Sequence, residues 1–239
     1  MLVLALDTTT REGSCALARD GRVLREQGSD GSKPQAARLP GDLVTLLAHE
    51  GITLPEIDVY AVSTGPGSFT GLRVGIATMQ GLAFAAGKPL IGVSALDALA
   101  TLGGSQDRPH GSAERERVAT WIDAWRGEVY SALYEDGLEV KAPSVAHPND
   151  LLPPLVGKPT LFIGDGAGTY AGAIRAALGG HATIADPVNP LIAGTIARLA
   201  TETARAGELP PPHAIRPLYV RRPPSPLEGF GGASPKRAV

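Results

Sequence analysis

The chain has 239 residues, 43% of them hydrophobic, with a formal net charge of −2 and one cysteine. This is enough apolar material for one large domain or two small ones, gives no basic field that would draw the whole molecule to nucleic acid, and excludes an internal disulfide. No apolar run approaches membrane-spanning length, and Met1 leads into an apolar strand without a basic n-region, so a soluble cytoplasmic protein with no membrane contact is expected.

In chain order, residues 2–6, 13–18 and 22–27 read as strands, the last two joined at Asp20-Gly21, a two-residue hairpin signal. Cys15 lies in the second strand and reads as a small buried hydrophobe. Ser32 and Pro34 introduce a helix in which Leu39, Leu43, Leu46 and Leu47 recur at helical spacing, ending near Gly51. A buried strand over 58–63, a long helix over 71–86, a strand over 90–93 and a helix over 94–102 complete a βββαβαβα half.

Residues 103–116 are polar and rich in Gly, Ser and charge, which predicts a linker. Strands over 118–123, 128–134 and 138–141 follow, with turns at Arg126-Gly127 and Asp136-Gly137. A short helix over 148–152, a strand over 160–163, a helix over 168–178, a strand over 182–184 and a helix over 190–206 then suggest a reduced copy of the first half. The expected α/β division is a first lobe over 1–103, a linker over 104–116, a second lobe over 117–212 and a basic, disordered tail over 213–239. Residues 216–239 carry five Lys/Arg against one Glu, which reads as a solvated tail before it reads as an RNA contact.

The stretch Ser63-Thr64-Gly65-Pro66-Gly67-Ser68-Phe69-Thr70-Gly71-Leu72-Arg73-Val74-Gly75 joins a strand to the longest helix. Gly65 and Gly67 free the backbone for positive φ, and Ser68 or Thr70 can cap the helix. Such a loop can gather N–H groups around an anion, or its glycines can simply let the helix pack closely on the sheet. It lacks the Gly-Lys-Ser/Thr of a Walker loop, the glycine spacing of a dinucleotide fingerprint and the Gly-x-Ser-x-Gly of a nucleophile elbow. The helix after it is apolar on every side, so it needs cover on more than one side: its own sheet, its own chain or a partner. On this pattern Leu39, Leu43, Leu46, Leu72, Arg73, Ile76, Met79 and Gln80 are candidate partner-interface residues.

The run Gly-Pro-Gly-Ser-Phe-Thr-Gly-Leu-Arg-x-Gly over 65–75, with Leu4-Ala5-Leu6-Asp7-Thr8-Thr9, Asp123-Ala124-Trp125-Arg126-Gly127-Glu128-Val129-Tyr130 and Gly164-Asp165-Gly166, resembles the bacterial threonylcarbamoyladenosine biosynthesis family called TsaB or YeaZ, of the actin-like ATPase superfamily. The resemblance implies two ribonuclease-H-like lobes. It also implies a non-catalytic dimerisation subunit that activates a TsaD-like catalyst, which transfers a threonylcarbamoyl group to N6 of adenosine 37 in ANN-decoding tRNAs. A TsaE-like ATPase would join the assembly, the chain would form a homodimer, and tRNA would be met only through the complex. Asp7 matches the phosphate-loop acid of actin-like nucleotide enzymes. Asp7, Thr8, Gly65, Gly67, Ser68, Thr70, Gly71 and Asp165 are therefore the candidate anion or nucleotide residues, with ATP or ADP the ligand to test and no other cofactor expected.

TsaD-like catalysts bind a metal through Val-Asn-His-Leu-Glu-Gly-His. The matching place here is Val93-Ser94-Ala95-Leu96-Asp97-Ala98-Leu99, where Ala95 and Leu99 offer no lone pair. His49, His110, His147, His181 and His213 are scattered and read as surface or capping residues, so no metal site is expected. Pro34-Gln35 stands where family members begin the first long helix with His-Ser, and Pro40 would kink that helix unless it lies in the first turn. Two rival readings remain: an ATP-using phosphotransfer enzyme or hydrolase resting on Asp7 and the glycine loops, and a stand-alone metallopeptidase or carbamoyltransferase that would need a bound metal.

Overall fold

The computed structural model describes residues 1–104 and 117–220; residues 105–116 of the linker expected over 104–116, His110 and the tail from 221 lie outside them. Strands β1 (Leu2–Asp7), β2 (Ser14–Arg19), β3 (Arg22–Gly28), β4 (Val59–Gly65) and β5 (Leu90–Ser94) form one sheet in the order β3-β2-β1-β4-β5. β1, β2 and β3 pair antiparallel, while β1, β4 and β5 are parallel. Strands β6 (Arg117–Asp123), β7 (Val129–Glu135), β8 (Leu138–Ala146), β9 (Thr160–Ile163) and β10 (Ala182–Ile184) repeat the order as β10-β9-β6-β7-β8. The second half is therefore reduced in its helices and not in its strands. Between β8 and β9 there is only α4 (Pro148–Leu151) and a 3₁₀ turn, where the first half has the fifteen-residue α1 (Gln35–His49).

The hairpins follow the turn residues. Asp20 and Gly21, and again Asp136 and Gly137, all have positive φ, as a two-residue turn matched to strand twist requires. β1 is buried along its whole length because its two faces serve different cores. Leu2, Leu4 and Leu6 pack with Leu39, Leu43 and Leu46 of α1 and with Ile76, Met79 and Ala83 of α2 (Phe69–Ala86). Val3 and Ala5 face the other lobe, in a cluster that also holds Val118, Ile122 and Ile163. Cys15 is buried in the first core, and that burial pushes its thiol up to about 12, which leaves it a packing residue.

Two helices cross between the lobes. α3 (Ala95–Gly104) follows β5 but packs on β6 and β9, and α7 (Ala193–Arg205) follows the second sheet but packs on β1, β2 and β4. The first sheet also caps α7: Ser14 Oγ accepts from Ala193 N at 3.1 Å, and Glu26 Oε1 accepts from Gly194 N at 2.8 Å. The lobes thus share a core, and dividing the chain by sequence does not divide it by packing.

The structure differs from expectation in three places. Helix 168–178 is two helices, α5 (Asp165–Thr169) and α6 (Ala171–Leu178), so the Gly-Asp-Gly segment read as a loop is itself helical. Pro40 lies in the second turn of α1, on its exposed side, and the helix continues through it. The tail expected from residue 213 is ordered through 220, because Pro212–Ala214 forms a 3₁₀ turn and the following residues dock on α2. Gln80 Nε2 donates to Pro212 O and Ile215 O at 2.9 and 3.1 Å, Leu218 N donates to Thr64 O at 2.7 Å, and Ile215 packs against the first core.

Candidate functional site

A cleft of about 550 Å³ opens where the two sheets meet, and a narrower end of it reaches Asp7. Asp7 terminates β1 with its carboxylate buried, and Oδ1 accepts from Thr9 N at 3.0 Å and Thr9 Oγ1 at 2.7 Å. Burial raises its pKa from 3.8 to about 6; the hydrogen bonds from Thr9 and Ser63 oppose that rise and the nearby Asp165 adds to it. Asp165, opening α5 in the other lobe, accepts from Asp123 N at 2.9 Å, and its pKa is also raised, chiefly by burial.

The eight motif residues divide between lining and packing, with Gly71 doing both. Ser68, Thr70, Gly71 and Asp165 line the open cleft, and Asp7 lines its narrow end. Thr8 instead lies buried under α2, where a Cβ at Gly71 would sit 2.3 Å from Thr8 O and one at Gly75 would sit 2.2 Å from Thr8 Oγ1. Gly65 and Gly67 hold their places for similar reasons: a Cβ would come within 2.8 Å of Leu72 Cδ1 at the first and 2.6 Å of Thr9 O at the second, and both have positive φ. Ser68, not Thr70, caps α2, accepting from Gly71 N at 3.2 Å, while Ser68 N donates to Thr9 O at 2.7 Å. Two N–H groups that an anion would use therefore already have acceptors in the chain. The glycines act first by letting α2 seat on the β1 turn.

Gln35, at the place of the family's His-Ser, donates through Nε2 to Thr8 O at 3.2 Å and to Thr10 O at 2.9 Å. It ties the start of α1 to the same turn. Arg11, Asp123, Trp125 and Asn189 are among the cleft residues that received no role from sequence. The signal for Asp123 was symmetry, since it ends β6 as Asp7 ends β1, and Asp123 Oδ1 accepts from Trp125 N at 2.8 Å. Trp125 is 73% exposed at the cleft wall, on a turn where Trp125, Arg126 and Gly127 all have positive φ.

The candidate interface needs correction. Leu39, Leu43, Leu46, Leu72, Ile76 and Met79 are at most 5% exposed, because the amphipathic face of α1 and the sheet-facing side of α2 are both consumed by their own lobe. Arg73 is exposed, and Gln80, half-buried, is engaged by the ordered C-terminal strap. Ala95 and Leu99 are 0% and 3% exposed in the interlobe core. Among the described residues no group of three or more His, Cys, Asp or Glu is placed to hold a metal ion, and no helix is long and apolar enough to cross a membrane.

Two five-stranded sheets of one strand order, facing a shared cleft and bridged by two helices, define a two-lobed α/β protein with an actin-like fold. The family described as TsaD, tRNA N6-adenosine threonylcarbamoyltransferase, matches residues 32–166. A YeaZ structure from Pseudomonas aeruginosa superposes with a TM-score of 0.72 at 31% identity, covering 91% of this chain and 99% of that one. The Escherichia coli tRNA threonylcarbamoyladenosine biosynthesis protein TsaB is 39% identical over 135 residues, 56% of this chain and 55% of that protein. An uncharacterized Mycobacterium leprae protein, ML0378, is 33% identical over 226 residues, 93% of this chain; the match spans about half of that protein, 55%. The chain belongs to the TsaD-type family and, within it, to the YeaZ (TsaB) branch.

Proposed function

We propose that this chain is the non-catalytic dimerisation and activating subunit of the cytoplasmic assembly that transfers a threonylcarbamoyl group to N6 of adenosine 37 in ANN-decoding tRNAs. A TsaD-type subunit performs the transfer, a TsaE-like ATPase joins the assembly, the chain also pairs with itself, and tRNA is met only through the complex. The observation that carries this reading is the pair Ala95 and Leu99. They lie buried in hydrophobic packing where the resemblance places the catalyst's metal-binding imidazoles, and neither side chain can donate to a metal. The cleft supports the same reading: Asp7, Asp123 and Asp165 face it, and two N–H groups at the start of α2 are bonded internally.

The test is reconstitution. The chain, a TsaD-type subunit and a TsaE-like ATPase are mixed with threonylcarbamoyl donor and unmodified tRNA, and modified adenosine is measured with each component omitted in turn. The expected result is binding to the TsaD-type subunit by calorimetry and loss of product when either is left out. Product formed by this chain alone, or no binding to the TsaD-type subunit, would overturn the proposal. Turnover of ATP by the isolated chain, abolished by Asp7→Ala, would instead establish the phosphotransfer or hydrolase alternative.

A further inference from the structure

β4 ends in a bulge that the chain closes only with its C-terminal strap. β4 pairs with β5 through Ser63 on Val93 and then Gly65 on Ser94, so Thr64 is an extra residue with no place in the ladder. Thr64 Oγ1 donates to Val93 O at 3.2 Å, and Thr64 O accepts from Leu218 N of the strap at 2.7 Å. Beside this bond Ile215 and Thr64 both lie over Gly92 of β5: a Cβ on that glycine would sit 3.3 Å from Ile215 Cγ2 and 2.5 Å from Thr64 Cγ2. From α2, Gln80 Nε2 donates to Pro212 O and Ile215 O at 2.9 and 3.1 Å. At the far end Tyr219 Oη accepts from Arg73 Nε at 3.1 Å, the Arg73 guanidinium stacks on Phe69, and the exposed Tyr219 and Phe69 rings stand 5.8 Å apart between centroids.

The same bulge touches the cleft. Leu6 of β1 and Val62 of β4 are register partners, so the residues that follow them, Asp7 and Ser63, stand side by side at the two strand ends, and both are buried. Ser63 Oγ accepts from Gly65 N at 3.4 Å across the bulge, and the Ser63 hydroxyl hydrogen-bonds the Asp7 carboxylate. Thr64 thus lies between the strap on one side and the partner of the cleft carboxylate on the other. The strap is lightly held, since none of residues 212–220 is buried. A segment of that kind opens at a small fraction of the free energy of global unfolding.

We propose that residues 212–220 are a releasable latch coupled to the cleft: docked, the strap fixes the bulge at Thr64 and with it the Ser63 hydroxyl on Asp7; released, it frees Thr64 O and loosens that hydroxyl's hold. The coupling is reciprocal. A bond that favours the ionised carboxylate when the strap is docked must favour docking when the carboxylate is ionised, so release raises the proton affinity of Asp7 and protonation of Asp7 favours release. Asp165 of α5 and Glu12 of the turn after β1 are the charged groups that share the narrow end of the cleft with Asp7, and Asp123 acts on Asp165 from the end of β6. Among the described residues none of the three has a hydrogen bond or ion pair to the strap. The coupling does not depend on the function proposed above: a ligand in the cleft and a partner lifting the strap would each be felt at the other site.

The test follows the full chain by nuclear magnetic resonance as wild type, Gln80→Ala, Leu218→Pro and Asp7→Asn, with thermal melts to show that each variant folds. Gln80→Ala removes both bonds from α2 to the strap, and Leu218→Pro removes the donor to Thr64 O. In both, the Asp7 carboxyl carbon is expected to titrate above the wild-type value of about 6, with proton affinity raised about threefold. Conversely, the wild-type Leu218 amide, corrected for intrinsic exchange, is expected to be about threefold better protected at pH 8 than at pH 5. His213 is a titratable side chain of the strap itself, so the comparison is repeated in Asp7→Asn, where a contribution of His213 persists and that of Asp7 is lost. If Gln80→Ala lowers protection at Leu218 but leaves the Asp7 titration where it was, the strap is a passive cover and the inference fails. Protection at Leu218 that Gln80→Ala does not lower, or a pH dependence that Asp7→Asn leaves unchanged, overturns it equally.

Discussion

Asp7→Asn tests whether the cleft is electrostatically strained. The substitution keeps an oxygen to accept from Thr9 N and Thr9 Oγ1, now bonded at 3.0 and 2.7 Å, and removes the buried charge. In the folded chain Asp7 has a pKa raised to about 6 from 3.8, so the folded state holds its proton more tightly than the unfolded state does. Wild-type stability should therefore rise as pH falls through 6 toward 4, and above pH 6 the ionised carboxylate costs about 3 kcal/mol relative to an unperturbed one. Asparagine does not titrate, so the variant lacks this dependence. Urea unfolding followed by circular dichroism at pH 8 and pH 4.5 should show the advantage of Asp7→Asn shrinking by about 2 kcal/mol on going to the lower pH. An Asn variant with the same stability difference from wild type at both values would refute the reasoning, whatever the sign of that difference.

Two glycines of α2 should respond in opposite directions to alanine. Gly71→Ala, whose Cβ would meet Thr8 O at 2.3 Å, should destabilise by about 1–3 kcal/mol in urea melts, whereas Gly81→Ala, with nothing within 4 Å, should stabilise by about 0.5–1 kcal/mol. Glu26→Ala removes the acceptor for Gly194 N and should lower stability by about 1 kcal/mol, while Glu26→Gln, which keeps an oxygen there, should lose less than half of that in the same assay. Gln35→Ala should cost about 1–2 kcal/mol and speed amide exchange at Ser68, whose N–H bonds to Thr9 O on the turn that Gln35 secures.

The strands were legible because β1, β4 and β6 are continuous apolar runs and the hairpins carry Asp-Gly, so burial and turn chemistry agree at each. The carboxylates at Asp7 and Asp165 were legible as strand-end and loop residues. Two things were hidden. Residues 212–219 follow the prolines at 210–212 and show no periodic pattern, and what orders them is Gln80, which bonds Pro212 O and Ile215 O across 132 and 135 positions. No local pattern carries that information. The same blindness left the cover of α2 open between its sheet, its own chain and a partner, with Leu72, Ile76 and Met79 as candidate interface residues; the lobe's own packing takes those residues and the chain's own strap lies along another side. Gly164-Asp165-Gly166 was misread because glycine is a poor helix former; α5 forms regardless, since a Cβ at Gly164 would lie 2.2 Å from Trp121 O and only a bare backbone can start a helix so close to β6.

That close approach has a counterpart in the first lobe, and together they account for the character of the cleft. In each half a strand-end Asp, Asp7 or Asp123, is followed by a turn against which a glycine-bearing segment is pressed: Gly67, Gly71 and Gly75 on Thr8 and Thr9, Gly164 and Gly166 on residues 121–123. Repeating one device in two facing halves points the strand ends at each other, so carboxylates converge wherever both copies keep an acid. The mutual effect is visible in Asp7, which Asp165 pushes further toward its protonated form, and in Asp165, which Asp123 pushes the same way. Any phosphate entering between them meets like charge at a site whose nearest helical N–H groups are partly engaged, so it would have to bring its own counter-charge. The outer side of α2 is the opposite case: one cation, two exposed rings and, among the described residues, no carboxylate in ion-pair distance of it. Electrostatics therefore gives the cleft, where carboxylates converge, and the outer side of α2, where a cation is exposed, opposite character.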